Sequence, residues 1–501
     1  MLKLLTAQQT RQADAYTIRH HSIASIDLME NASHAFVAVF ADFFPDKNAT
    51  VAIYCGTGNN GGDGLAVARL LKDRGYEKVT VRIARYSDKE TADFKTNLLR
   101  LQTCEIPIVN LHKHASFRAE DADVIVDALL GTGLNKLLEG DWQNLAEFIN
   151  SLNKPVVSID IPTGFFSEGT INAEATAIKA DLVITFQRPK INFLLPESAK
   201  IIKRFLVADI GLNEQYIQSS ESPFLLATEQ DIREKLKKRS QFSHKGTFGH
   251  ALIIAGNAET MGAALLSSEA CLYAGAGLTT ACVPSEGLSA LNTRTPEVMA
   301  LLRRDGLLPD GLKWDKYDAV GIGPGLGTTA ESKRVLETTL QNVKTPLLLD
   351  ADAINLISIH RDLIPLVPQG TVITPHVKEF DRLFGEHKSW WDRIETALKK
   401  SKDLGWIIIL KNRYTMIFSP NGDCVFNPTG DPAMATGGMG DTLTGIITSL
   451  LAQGYNAKDA SIAGVYIHGK AGEDLAKEMW TVVSAGELIK RIPVTIGALQ
   501  D

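Results

Sequence analysis

Apolar residues in this chain gather into short unbroken runs. Between most of those runs lie longer stretches with helical spacing. In the first half, Val51–Cys55, 78–84, 123–127, 156–160, 181–186 and 205–209 read as strands. Unbroken apolar runs of that length suit strands covered on both faces. Ahead of them, Thr6 reads as the cap of a mostly polar surface helix over 7–20. A second helix, with one apolar face, is predicted near Ile26–Phe43, and a third from Leu65 to Arg74. In the second half the predicted strands are 251–256, 278–283, 318–323, 346–352, 371–375, 406–411 and 414–420. A small-residue helix falls near 262–277, and an apolar, helix-compatible run follows at Thr442–Leu451. Strand and helix in alternation predict α/β domains, each a parallel sheet with helices on both faces.

A break in this rhythm divides the chain. Residues 213–223, NEQYIQSSESP, are polar, aperiodic and end in proline. Structure restarts at Phe224, and Thr228 can cap the helix that follows. The expected domains are 1–215 and 225–501, and 501 residues are too many for one ordinary core. No internal repeat links the halves. Lys plus Arg number 52 against 58 Asp plus Glu, a net charge of −6 without like-charge blocks. That balance argues against a nucleic-acid surface. The five cysteines are scattered, without a CxxC pair, and read as reduced thiols of a cytoplasmic protein. The amino terminus turns polar too early for a signal peptide, and no apolar run reaches membrane-spanning length.

Chemistry concentrates where strands end. In Gly56-Thr57-Gly58-Asn59-Asn60-Gly61-Gly62-Asp63-Gly64, a GxGxxG spacing sits between a strand and a helix and suits phosphate. The acid that a dinucleotide-binding domain carries after the next strand is missing; Arg85 stands there. An ordinary hydride-transfer domain is therefore disfavoured. Asp127 and Asp160 each end a predicted strand, and Thr163 follows in Asp160-Ile161-Pro162-Thr163-Gly164. Asn60, Asp127 and Thr163 are expected to converge on one sheet edge as oxygen donors. Oxygen donors without His or Cys suit a hard cation rather than zinc.

In the second half Gly323-Pro324-Gly325, Asp350, Asp352, His376, Lys411 and Thr415 all fall at or beside strand ends. They precede Ala435-Thr436-Gly437-Gly438-Met439-Gly440-Asp441, which opens a helix. Glycine N–H groups at a helix start can hold a phosphoryl group in flight. Asp441 then reads as the acceptor of a proton from an attacking hydroxyl. The plainer reading makes it a helix N-cap.

The segments GTGNNGGDG, DALLGTGL, DIPTG, ITFQRPK and VADIGL together resemble the NAD(P)H-hydrate epimerase domain. The resemblance implies a Rossmann-like three-layer fold. It implies that Asn59, Asn60, Gly61, Gly62 and Asp63 contact the hydrated dinucleotide, with Gly131, Thr132, Gly133, Leu134, Asn135, Lys136 and Leu137. Potassium would be bound by Asn60, Asp127 and Thr163, and Asp160 would be the substrate-contacting acid/base. HKGTFGHALIIAG, GIGPGLG, LLLDADAIN, ITPHVKEF and ATGGMGDTLTG resemble the ribokinase-like NAD(P)H-hydrate dehydratases. Carried over, Ala263, Gly325, His376 and Asp441 contact the hydrate. Lys411, Asn412, Arg413, Tyr414, Thr415 and Gly440 contact the nucleotide, with ADP as donor and magnesium neutralising its phosphates. Hydrated NADH or NADPH and ADP are the implied partners of what is expected to be a homo-oligomer. The alternative is a ribokinase-like kinase of a small vitamin-type alcohol with an N-terminal nucleotide-binding module. GNNGGDG and DIPTG weigh against it, because such a kinase has no need of them.

Overall fold

The computed structural model describes residues 1–500 apart from 115, 118, 119, 135, 173, 305, 306, 479 and 480. The chain separates into two compact units. One comprises Lys3–Ser222 with Ser389–Trp391; the other comprises Met1–Leu2, Pro223–Lys388 and Asp392–Asp501.

In the first unit the strands are β1 (Val51–Cys55), β2 (Val79–Ala84), β3 (Ile108–Leu111), β4 (Val124–Ala128), β5 (Val156–Ile159), β6 (Leu182–Phe186) and β7 (Phe205–Ala208). They form one sheet in the order β3-β2-β1-β4-β5-β6-β7, with every neighbouring pair parallel. Strand order reverses between β1 and β4, and a parallel sheet opens its ligand crevice at such a point, beyond the strand C-termini. Both β1 and β4 are buried along their full length, as their unbroken apolar sequences require. The helices of this unit include α1 (Ala7–His21), α2 (Ser25–Phe43), α3 (Asn59–Asp73) and α4 (Ala92–Leu101), which line the crevice, and α5 (Asp141–Ser151), which does not. α1 carries a capping box at Thr6 and Gln9.

One boundary differs from expectation for an instructive reason. α3 begins at Asn59, six residues before the predicted start, so the glycine-rich stretch is helix rather than loop. Its glycines permit close approach of backbone. A Cβ on Gly61 would lie 1.9 Å from the carbonyl oxygen of Gly56. Alanine in a helix ordinarily stabilises by about 1 kcal/mol over glycine. Here the clash decides the sign, and Gly61→Ala is expected to destabilise this unit by about 3 kcal/mol in denaturant unfolding. Gly58→Ala is the control. Nothing lies within 4 Å of its Cβ, so a change within about 0.5 kcal/mol is expected. Equal effects of the two substitutions would contradict this account of the glycines.

In the second unit β8 (Phe224–Leu226), β9 (His250–Ile254), β10 (Leu278–Pro284), β11 (Met299–Arg303), β12 (Ala319–Ile322), β13 (Leu347–Leu349), β14 (Val372–Ile373), β15 (Ile407–Leu410), β16 (Met416–Phe418) and β17 (Cys424–Phe426) share a second sheet. Their order is β8-β17-β16-β15-β14-β13-β12-β9-β10-β11. Only the pairs β15–β16 and β16–β17 are antiparallel among them. The helices needed below are α6 (Met261–Tyr273), α7 (Asp352–Ile359), α8 (Val377–Phe384), α9 (Met439–Ala452) and α10 (Ala457–Lys477). α9 is buried from Thr442 to Ala452, which accounts for its apolar sequence on all sides. The strands stop short of their predicted ends, so Asp350 lies just past β13 and Asp352 opens α7. Thr415 likewise precedes β16 rather than lying in it.

Candidate active sites

The crevice of the first unit is a cavity of about 700 Å³. Asn59, Asn60 and Asp63 reach it from the first five residues of α3. Gly131, Thr132, Gly133, Leu134 and Lys136 reach it from the segment after β4, and Asp160 from the end of β5. Gly61, Gly62 and Leu137 do not line it, and Asn135 lies outside the described residues. Gly62 faces Met29 instead, whose Sδ would lie 2.9 Å from an added Cβ.

Asp160 takes a left-handed backbone conformation, φ 63°, which turns its side chain back over the strand ends. Its Oδ1 accepts from Lys190 Nζ at 2.7 Å, Phe186 N at 3.0 Å and Thr185 Oγ1 at 3.1 Å. The ammonium is itself buried. Three further carboxylates, Asp14, Asp63 and Asp93, share the cavity. Burial, with Asp160 nearby, pushes Asp14 up to about 6, although Lys190 opposes the shift. Burial pushes Asp63 well above the ordinary carboxylate range, with Asp160, Asp14 and Asp93 adding repulsion.

Asp127 and Thr163 meet in the buried floor beside this cavity. Asp127 Oδ1 accepts from Thr163 Oγ1 at 2.7 Å, and Oδ2 from Thr163 N at 2.8 Å and Ser158 Oγ at 2.9 Å. No cationic side chain pairs with Asp127 among the described residues, and burial raises its pKa. Asn60 stands against Gly131 with its Nδ2 buried and unpartnered. No cluster of three His, Cys, Asp or Glu suited to a metal occurs among the described residues.

In the second unit the crevice residues converge from successive strand ends. Asp350 is 1% exposed and bonds three ways: Oδ1 accepts from Thr374 Oγ1 at 2.6 Å and Lys411 Nζ at 3.0 Å, and Oδ2 from Thr444 Oγ1 at 2.8 Å. Lys411 Nζ would lie 3.6 Å from a Cβ on Gly440, so the ammonium faces the start of α9. His376 and Lys411 form a parallel bridge beyond β14 and β15. His376 caps α8, its Nδ1 accepting from Lys378 N at 3.0 Å. Burial and then Lys411 lower its pKa, so it is neutral at physiological pH. Ala263 and Gly325 adjoin, since a Cβ on Gly325 would approach that of Ala263 to 2.9 Å.

Asp441 occupies the first turn of α9 rather than its cap. The cap is Gly438, whose φ of 88° admits glycine readily and an L side chain only with strain. Burial, with repulsion from Asp350 and Asp352 and partial relief by Lys411, pushes Asp441 up to about 6. A carboxylate poised there exchanges protons efficiently near neutral pH. Beneath the loop, burial pushes His468 of α10 down to about 4, and its Nε2 has no hydrogen-bond partner among the described residues. Beyond Lys411 the segment turns aside. Asn412 Oδ1 accepts from Tyr414 N at 2.6 Å, and Thr415 Oγ1 donates to Asn412 O at 3.0 Å. Arg413 lies 4.8 Å over the Tyr414 ring and lines a separate groove of about 700 Å³ with Gly430, Asp431 and Glu473.

Residues 25–192 match the family model of the YjeF-related protein N-terminus, and residues 251–494 that of NAD(P)H-hydrate dehydratase. The chain is 34% identical to the bifunctional NAD(P)H-hydrate repair enzyme Nnr of Moorella thermoacetica, across 99% of this chain and 97% of that protein. The chain belongs to the bifunctional NAD(P)H-hydrate repair enzymes. The repair enzyme of Escherichia coli is 35% identical over 91% of this chain and 86% of its own. A ribokinase-like superfamily protein from Enterococcus faecalis V583 superposes with a TM-score of 0.50 at 30% identity, covering 56% of this chain and 99% of that one. The expected family and α/β fold class are therefore both found.

For this repair-enzyme member, sequence reasoning passed over Asp14 and Lys190. Asp14 lay in a helix read as a polar surface, yet Ala13 and Thr17 beside it are buried, an apolar-small face that marked packing. Lys190 follows a strand end in Gln187-Arg188-Pro189-Lys190, the position that had drawn attention to the acids.

Proposed function

We propose that this enzyme repairs hydrated NAD(P)H in two steps. The first unit interconverts the R and S epimers of the hydrate. The second dehydrates the S epimer to NAD(P)H at the expense of ADP, giving AMP and phosphate. The observation that carries the reading is Asp441, a partly buried carboxylate at about 6 on the first turn of a glycine-started helix, facing Lys411. Hydroxide leaves poorly and phosphate leaves well. Asp441 takes the proton from the ring hydroxyl as its oxygen attacks the terminal phosphoryl group. The free N–H groups at the start of α9 hold that group in transit. Phosphate then departs, a neighbouring ring proton is lost, and the double bond returns. His376, Gly325 and Ala263 would position the ring, and Lys411 to Thr415 with Gly440 the nucleotide.

In the first unit, potassium would be held by Asn60, Asp127 and Thr163, where it would neutralise a buried carboxylate that has no cationic side-chain partner among the described residues. Magnesium would shield the phosphates of ADP. Free cysteines, and no helix long and apolar enough to cross a membrane among the described residues, suit a cytoplasmic enzyme. We expect a homo-oligomer acting on small molecules rather than nucleic acid.

The test supplies mixed epimers of NADH hydrate with ADP and magnesium and follows the return of reduced-nicotinamide absorbance. Full conversion is expected, with both epimers consumed rapidly. No NADH with either ADP or ATP would sink the reading. With Asp160→Asn, one epimer should still be consumed rapidly, while the other waits on spontaneous inversion, slowed by about 100-fold relative to the unaltered enzyme. Rapid use of both epimers by this variant would remove Asp160 from the chemistry.

A further inference from the structure

Epimerisation at ring carbon 6 has a requirement that one carboxylate on one wall meets poorly. If the hydroxyl leaves as water from one face, water must return to the other. A proton is needed at departure, and a proton acceptor at return. The cavity holds a second carboxylate suited to this division. Asp14 projects from α1, and Asp160 from the end of β5, so the two arrive on separate elements and line the same space. They differ in their bonds. Asp160 Oδ1 is committed to Lys190 Nζ, Thr185 Oγ1 and Phe186 N. Among the described residues the Asp14 carboxyl makes no hydrogen bond or ion pair, and it is only partly exposed.

We propose that Asp14 and Asp160 form a two-carboxyl proton relay for the epimerase reaction, one acting as acid while the other acts as base. The proposal rests on the epimerase reading above. In one direction the Asp14 O–H gives its proton to the C6 hydroxyl. The C6–O bond breaks, its electron pair leaving with water, and the ring nitrogen lone pair forms the C=N⁺ bond. A water then adds to C6 from the other face as the iminium electrons return to nitrogen, and Asp160 takes its proton. Atoms and charge balance: one water leaves and one is added, and a proton has moved from Asp14 to Asp160. The pair is then poised for the reverse inversion, as an enzyme acting on both epimers requires.

Burial holds the Asp14 proton into the range where this exchange is useful, to about 6. The charged groups that face Asp14 or share its cavity are Asp63 of α3, Asp93 of α4, Lys136 after β4, Asp160, Lys190 after β6, and Arg11 on its own helix. Repulsion from Asp160 helps to keep the proton on Asp14, and Lys190 opposes it.

The experiment uses the full chain and measures inversion of isolated epimers of NADH hydrate, with the spontaneous rate subtracted. Asp14→Asn is expected to lower kcat about 100-fold with KM changed less than threefold, and Asp14→Glu to recover part of the loss. The unaltered enzyme should lose kcat/KM as pH rises above about 6, and Asp14→Asn should lack that limb. An Asp14→Asn rate within threefold of the unaltered enzyme would overturn the proposal. So would an unaltered enzyme whose kcat/KM is flat from pH 5 to 8, a result that needs no variant to fold. If the unaltered enzyme itself does not exceed the spontaneous rate, the epimerase reading fails instead, and the two failures are distinct.

Discussion

Asp441→Asn is expected to slow dehydration by about 10³-fold while leaving epimerisation by the other unit unchanged. Asparagine keeps the shape and the start of α9 but cannot accept the hydroxyl proton. The loss should appear in kcat, because the proton moves only as the phosphoryl group is transferred. The pH profile follows from the sign of the shift. The carboxylate is the active form, and burial with Asp350 beside it raises its pKa from 3.8 to about 6. Dehydration should therefore fall about tenfold per unit below pH 6 and level off above it. Stability should move the other way. Holding that charge in the folded state at pH 8 costs up to about 3 kcal/mol, a penalty that fades as pH falls through 6 toward 3.8. Asp441→Asn should thus be the more thermostable protein at pH 8, with the difference gone near pH 4. Dehydration within tenfold of the unaltered enzyme, or a variant no more stable at pH 8, would contradict this role.

Asp350→Ala is expected to destabilise the unit that contains it by about 3–5 kcal/mol, the largest stability effect in the site. Asp350 is 1% exposed and accepts from three donors, one of them the Lys411 ammonium. Removal leaves Lys411 unpaired in a half-buried crevice and takes the acceptor from the Thr374 and Thr444 hydroxyls. Removing both charges, as Asp350→Asn with Lys411→Met, should recover part of the loss, since the unpaired ammonium is then gone. Asp350→Asn alone carries a second signature. Burial is the main cause of the Asp441 shift, and Asp350 the next. Losing that repulsion should move the acid limb of dehydration to lower pH. Denaturant unfolding and the pH profile check the two halves separately. An unchanged limb would show that Asp350 does not act on Asp441, whatever it does for stability.

The sequence located most of the residues used here because strand ends in a parallel sheet share an edge. Asp160, Asp350 and Lys411 were legible as stations on that edge before any contact was known, and Asp441 from the glycines that open its helix. Helix starts were less legible. In the Asn59–Gly64 stretch glycine's flexibility suggested a loop, whereas close packing against Gly56 makes it helix. Asp441 was open to cap and acid/base readings, and the position of Gly438 at the cap removes the first of them.

By itself the sequence determined the order of strands and helices, the strand-end placement of the acids and the motifs that carry the family. Those depend on local spacing and on the parallel-sheet rule. The tertiary structure decided which carboxylates share a cavity and which are paired. Asp14 and Lys190 join Asp160 from α1 and from beyond β6, and Asp350 takes Lys411 and two hydroxyls from separate elements. Burial and through-space charge set the proton affinities of such groups. Neither quantity is a property of neighbours along the chain, so neither could be read from it.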